Sequence, residues 1–233
     1  MFTGGTIKIT IHQPNYLPYF GYFQKMAQAD VFVILDNVQY SKDSYTQRVK
    51  IRTQTGWIWL TIPIEKTNNF HPINEVILPE DDRWRKKHKV SIVSNYSKCP
   101  YFDKDFIERY YDLPIRSLND FNEHGIRYLL QNFGIKAKIV RASGMNLNAA
   151  LTSTDLLLEI VKKLGGSSYI SGPSGKQYLD ERKFSDNGIT VEYFSPMIPE
   201  YKQRWPGYQA YMSAIDILFN KGADHCRESL LTS

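Results

Sequence analysis

Four polar side chains crowd into five positions near the start of the chain: His12, Gln13, Asn15 and Tyr16, in the stretch IHQPNYLP. An imidazole just past a strand end, partly exposed and hydrogen-bonded, is expected to titrate near neutral pH. As a general base it would contribute about 10²–10⁴-fold to a rate. The amide and hydroxyl groups beside it suit the hydroxyls of a sugar or the polar edge of an amide. A second cluster, Asp36, Gln39, Tyr40 and Lys42, stands in DNVQYSK. His12 and Asp36 are the candidate catalytic pair. Gln13, Asn15, Tyr16, Gln39, Tyr40 and Lys42 are candidate substrate contacts. Arg48 and Lys50 alternate in RVKIRT and join them as charge-assisted partners for phosphate. Gly172, Ser174, Gly175 and Lys176 form a small-residue turn, SGPSGK, whose backbone N–H groups could meet a phosphate if a helix opens there. The spacing is not that of a Walker loop, so a plain turn is an equal reading. GxSxG, HExxH and paired carboxylates are missing, and the five histidines do not stand at metal-ligand spacing, so no metal site is expected.

The elements that must position these groups follow from periodicity. Thr6–Ile11 reads as a strand. Pro18 suits a helix start, and the apolar spacing of Phe20, Phe23, Met26 and Ala27 predicts a helix. Asp30–Leu35 is a near-continuous apolar run, as in a strand covered on both faces. Strand, helix and strand within some thirty residues make a parallel βαβ unit. The two polar clusters then follow the carboxyl ends of neighbouring strands, where open α/β sheets bind ligands, and are expected to share a cleft. RVKIRT and GWIWLTIPI alternate around residues 53–56 and predict a hairpin, with Arg48, Lys50 and Arg52 on one face and Trp57 and Trp59 on another strand's face. That face is either a phosphate-and-ring site or a solvated charged surface. Trp84, His88, Ile92 and Tyr96 make one stripe of a helix over 80–97, where a histidine is more often a packing residue. Further helices are expected near 101–111 and 117–133, and AKIVRA reads as a short strand. TSTD, at 152–155, has a capping-box pattern that opens an apolar stripe closed by Gly165-Gly166. Tyr169-Ile170 and ITVEYF read as strands. A late amphipathic helix, YMSAIDILFN, is expected to stop at Lys221-Gly222. The fold class is α/β: a Rossmann-like parallel sheet with an inserted β-hairpin and a helical segment. Residues 1–233 are expected as a single domain, with 80–134 as a helical insertion.

Composition narrows the partners. The 233 residues include 42% apolar and 14% aromatic residues, with 16 Tyr and 12 Phe. A net charge of +5 suits an anionic small molecule more than a nucleic acid, and no basic arm, RGG tract or zinc finger is present. The basic run RWRKKHK follows PEDD and reads as a solvated helix face. Two distant cysteines make no disulfide framework, which points to a reducing, cytoplasmic setting. No run is long enough for a membrane span, and no signal-peptide pattern is seen, so stable membrane insertion is not expected.

IHQPNYLPYFGYFQKMAQADVFVILDNVQYSK, followed by GWIWLTIPI, by KKH and NYSKCPYF, and by YISGPSGKQYLD, resembles the WbqC-like protein family from Ile11 to about Phe219. The resemblance implies a role in bacterial surface-polysaccharide (O-antigen) biosynthesis. It implies transfer of glycine or another aminoacyl or acyl group to a nucleotide-linked amino sugar. A fainter likeness joins NYLPYFGY, ADVFVILDNVQ and SGPSGKQYLDE to the nucleotidylyltransferase superfamily, pantoate–β-alanine ligases above all. Those enzymes activate a carboxylate as an adenylate and pass it to an amine. Here Pro18 and Tyr22 stand where two phosphate-binding histidines would be, and only Gly21 of that motif remains. The cofactor is thus open between ATP and an already activated acyl donor. Two other readings remain open on these residues: another nucleotide-sugar enzyme, such as a nucleotidyl- or glycosyltransferase, and a nucleotide-sugar-binding protein without catalysis.

Overall fold

The computed structural model describes residues 6–65 and 71–231. The chain divides into two compact units that interleave along the sequence. The first is drawn from Met1–Gln13, Gln24–Asn37 and Lys136–Pro196, and the second from Pro14–Phe23, Val38–Ile135 and Met197–Ser233. The whole 80–134 stretch belongs to the second unit, together with the hairpin.

The first unit carries a five-stranded sheet of β1 (Lys8–His12), β2 (Val31–Ile34), β5 (Lys138–Arg141), β6 (Ser168–Ser171) and β7 (Thr190–Tyr193). Their order is β5-β2-β1-β6-β7, and every pair is parallel. The expected α/β class with a parallel sheet is the one the chain adopts. β2 and β6 are buried along their length, while the edge strands β5 and β7 are part-exposed. That gradient explains the apolar VFVI in the middle and KIVR and TVEY at the rims. Helix α5 (Ser153–Lys163) packs the stripe Leu156, Leu157, Ile160 and Val161 inward. It ends in a Schellman motif: Gly165 is left-handed at φ 68°, Gly165 N–H donates to the Lys162 carbonyl, and Gly166 N–H donates to that of Val161. Gly166 is needed for a second reason, since a Cβ there would stand 2.4 Å from Ile9 Cδ1. The capping box expected at 152–155 does not form. Thr152 makes no side-chain cap bond, and Asp155 pairs with Lys183 at 2.6 Å.

The second unit holds the antiparallel hairpin β3 (Arg48–Thr53) and β4 (Gly56–Thr61), with Gly56 at φ 132° in the turn. Around it are α2 (Arg83–Tyr96), α3 (Lys104–Asp112), α4 (Leu118–Asn132) and α7 (Ala214–Leu231). The α2 stripe Trp84, His88, Ile92 and Tyr96 is buried as its spacing predicts. It meets Phe121 of α4 and Tyr111 of α3 in a cluster of edge-to-face rings. Asp103 and Ser117 cap α3 and α4 by accepting from Phe106 N–H and Asp120 N–H. The late helix reaches its expected stop at Gly222. That residue leaves the helical path at φ 84°, and a second helix follows it directly. A Cβ on Gly222 would lie 2.9 Å from the Tyr101 ring, so the close approach and the left-handed backbone both favour glycine. Helix α1 (Phe20–Ala27) carries the chain from the second unit into the first.

Candidate functional site

In the first unit all five strands point the same way, so their carboxyl ends share one edge. β1 lies between β2 and β6, and the chain order reverses on either side of it. That is the topological switch point of an open α/β sheet, where ligands bind beyond the carboxyl ends. His12 is the last residue of β1, Asp36 follows β2, and Gly172 follows β6. The sheet therefore brings His12, Gln13, Asp36 and the 172–176 turn to this one edge.

His12 is held by its own loop. Nδ1 lies 3.1 Å from the Gln13 carbonyl oxygen. A carbonyl only accepts, so Nδ1 carries the proton and Nε2 is the lone-pair nitrogen. The expected titration near neutrality is corrected: burial, and then the Lys25 charge, push the His12 pKa down to about 3 against a smaller upward pull from the Gln13 carbonyl. At neutral pH the ring is uncharged. Lys25 itself was not picked from the sequence. It is 6% exposed, its Nζ donates to the Ile11 carbonyl at 3.3 Å, and burial lowers its pKa to about 7.

Asp36 is fully buried, and both its oxygens are used. One accepts from Ser143 N–H at 2.8 Å and the other from Ser143 Oγ–H at 2.7 Å. The carboxylate ties the 3₁₀ turn after β5 (Ala142–Gly144) to the end of β2, a positioning task rather than proton transfer. After β6, Pro173–Gln177 is a single 3₁₀ turn, not the opening of a longer helix. The next helix, α6 (Glu181–Ser185), starts further on, with Asp180 as its cap. The helix-start argument for phosphate at Gly172–Lys176 therefore lacks its helix. Gly175 sits in a crowded place: a Cβ would fall 2.0 Å from Ser171 Oγ, which would have to turn away, and 3.0 Å from Leu179 Cδ1. Ser174 is exposed, and so is Lys176, whose Nζ lies 5.1 Å from the Tyr193 ring centroid.

The remaining candidates belong to the second unit. Tyr16 is fully buried, and its hydroxyl meets His88 Nδ1 at 3.0 Å and the Tyr111 hydroxyl, so it is a core group rather than a substrate contact. Burial pushes its pKa far up. Asn15 is buried as well. Asn122, unnoticed in the sequence, secures this loop by donating to the carbonyls of Pro14 and Thr46. Gln39 and Lys42 are exposed. Tyr40 is 2% exposed, yet its hydroxyl finds no partner among the described residues. A buried hydroxyl left so is costly unless something else bonds to it.

On the hairpin, Arg48 and Lys50 lie over aromatic rings. The Arg48 guanidinium is 4.4 Å from the Trp59 centroid, and Lys50 Nζ is 4.2 Å from that of Trp57. Tyr45 extends the row toward Trp59. Both expected features, basic and aromatic, thus fall on one face, in contact. Arg52 is different. It is 2% exposed and donates to Gln203 Oε1 and to the carbonyls of Gly56, Pro206 and Gly207. Gln203 continues to Asp216, which also accepts from Tyr96 and Tyr201. Burial raises the Asp216 pKa against the pull of these donors. This network binds residues 203–207 to the hairpin and shows no chemistry of its own.

Among the described residues no group of three or more His, Cys, Asp or Glu could hold a metal ion. No helix among them is long and apolar enough to cross a membrane. Cys99 and Cys226 are free and buried.

The chain matches the WbqC-like protein family over residues 13–228. It is 32% identical over 232 residues to a protein of Mycobacterium tuberculosis named uncharacterized protein Rv1507c, covering 95% of this chain and 99% of that relative. No solved structure matches the chain.

Proposed function

The chain belongs to the WbqC-like protein family, and on that premise we propose that it transfers an acyl or aminoacyl group, glycine among the candidates, to a nucleotide-linked amino sugar during surface-polysaccharide biosynthesis. The observation that carries the proposal is His12. It ends the central strand beside the switch point, with Nδ1–H fixed on the Gln13 carbonyl and Nε2 as the acceptor nitrogen. Amide formation joins the sugar nitrogen to the acyl carbon, breaks the bond from that carbon to its leaving group, and releases one proton from nitrogen. His12 Nε2 is the group that takes it. A base with a pKa near 3 removes no proton from a resting ammonium ion. The proton it takes comes instead from the nitrogen of the tetrahedral adduct, a stronger acid than the resting ammonium ion. Gln13 orients the sugar or acyl group from the same loop; Gln39, Tyr40 and Lys42 are candidate ligand contacts within the second unit. The unsatisfied Tyr40 hydroxyl favours a ligand contact. Lys176 and Ser174, after β6, are candidate phosphate contacts in the first unit, and Arg48 and Lys50 are candidates in the second unit taken by itself.

The test pairs two readouts on His12→Gln and the native protein. A panel of UDP- and dTDP-amino sugars is screened by thermal shift, because a ligand of the native state raises Tm. Product is then measured with acyl-CoA donors and with ATP plus glycine. The expectation is an unchanged ligand shift and turnover lower by about 10²–10⁴-fold in the variant. Full turnover of the variant removes His12 from the reaction. A ligand shift without product from any donor favours a binding protein, and no shift with any sugar ends the nucleotide-sugar reading.

A further inference from the structure

We propose that the head of β1 is a binding site for a phosphate-class anion, with the Lys25 ammonium as the counter-ion the ligand meets. The proposal deepens the nucleotide-sugar reading and rests on it for the choice of a diphosphate as the anion. It starts from a group the fold treats at a loss. Lys25 is the only lysine in the buried class among the described residues. Lysine normally buries its stem and keeps its charge in water, and 6% exposure leaves no room for that. A buried ammonium is normally compensated by a carboxylate, yet among the described residues none lies within ion-pair distance of Nζ. Among the described residues its one hydrogen bond is the donation to the Ile11 carbonyl, one residue before the end of β1. An ammonium has three donors, so two N–H groups remain.

Position separates a structural lysine from one kept for a ligand. A methionine would fill the same space on α1 without a charge to desolvate. The lysine instead ends at the carboxyl end of the central strand, beside the switch point, where open α/β sheets bind ligands. Its charge is felt there, since it helps to hold the His12 imidazole neutral. The Lys25 charge acts on His12, and the low Lys25 pKa has burial as its cause. A buried cation in want of an anion, set where ligands bind, marks a functional position. Two N–H donors and a full positive charge match a phosphoryl oxygen better than a neutral sugar hydroxyl.

This site has a signature that an ordinary surface patch lacks. An anion that meets Lys25 restores its charge, so binding takes up a proton wherever the free lysine is neutral. ADP and UDP are suitable probes, since phosphate monoesters lose their last proton near pH 6. Titration calorimetry of the full chain at pH 8, in two buffers of different ionisation enthalpy, should show saturable binding with close to one proton taken up. Affinity should fall about tenfold for each pH unit above about 7. Lys25→Met should lose the proton uptake and most of the affinity, while circular dichroism shows it folded. Lys25→Arg, which keeps its charge, should bind with no uptake. The proposal is overturned if neither nucleotide saturates, if uptake is absent in the native protein, or if Lys25→Met binds as tightly as the native chain. The two readings fail separately. UDP-amino sugars that shift the Tm of native and Lys25→Met protein alike remove the Lys25 site and leave the nucleotide-sugar reading standing. Lys25-dependent binding of ADP or UDP without any sugar response does the reverse.

Discussion

Lys25→Met should stabilise this protein at neutral pH, and the gain should vanish as the solution becomes alkaline. In the fold the Lys25 pKa is about 7, against 10.5 for an ordinary lysine. Between these values the unfolded chain carries a proton that the folded chain does not, so stability rises with pH across that window. The burden is complete at pH 7 and below. At about 1.4 kcal/mol per pH unit, the gap corresponds to about 5 kcal/mol at neutrality. The substitution also removes the bond to the Ile11 carbonyl, worth about 1 kcal/mol. The net gain at pH 7 is therefore roughly 3–4 kcal/mol, large for a single substitution when most destabilise. Urea unfolding of both proteins from pH 6.5 to 10.5 measures it. Other lysines and tyrosines titrate in this range, and they cancel in the difference between the two curves. That difference should be greatest below pH 7 and shrink steadily above it. A difference that stays constant with pH, or a variant less stable throughout, would refute the reasoning, because Lys25 would then be charged and compensated in the fold.

His12 governs the acid side. Its folded pKa of about 3 lies below the ordinary 6.5, so the unfolded chain binds the extra proton and stability falls as pH drops from 6.5 toward 3. His12→Gln should flatten that limb, read as the urea midpoint between pH 7 and 4. In Lys25→Met the His12 resonance should titrate at higher pH than in the native protein, by nuclear magnetic resonance, since one cause of its depression is gone. Gly175→Ala should destabilise by about 1–3 kcal/mol through overpacking against Ser171. Adding Ser171→Ala should recover part of that loss in thermal melts, and no recovery would place the crowding elsewhere. Tyr16→Phe should cost about 1–3 kcal/mol by leaving buried His88 and Tyr111 short of a partner, with no loss of nucleotide-sugar binding.

Much of the architecture was legible in the residues because it rests on local periodicity. VFVI reads as a covered strand and Tyr169-Ile170 as a short one, and the hairpin turn follows from two alternating runs meeting at Gly56. Glycine punctuation was read well at Gly165, where the left-handed end of α5 is a local matter of three hydrogen bonds and one φ. The same holds at Gly222, whose positive φ ends one helix before a second begins. Placing His12 and Gln13 at a strand's carboxyl end needed no tertiary information either.

The sequence by itself thus determined the α/β class, the strand-end position of His12 and the basic-aromatic face of the hairpin, all set by neighbours a few residues away. Only the tertiary structure decided what those groups are. Asp36 is spent on Ser143, 107 residues distant, and Tyr16 on His88 and Tyr111, 72 and 95 residues distant. The titration of His12 and Lys25 belongs to that second kind. A pKa depends on how much water the fold removes from a side chain, and FGYFQKMA reads the same whether Lys25 faces solvent or lies buried under the chain that covers it.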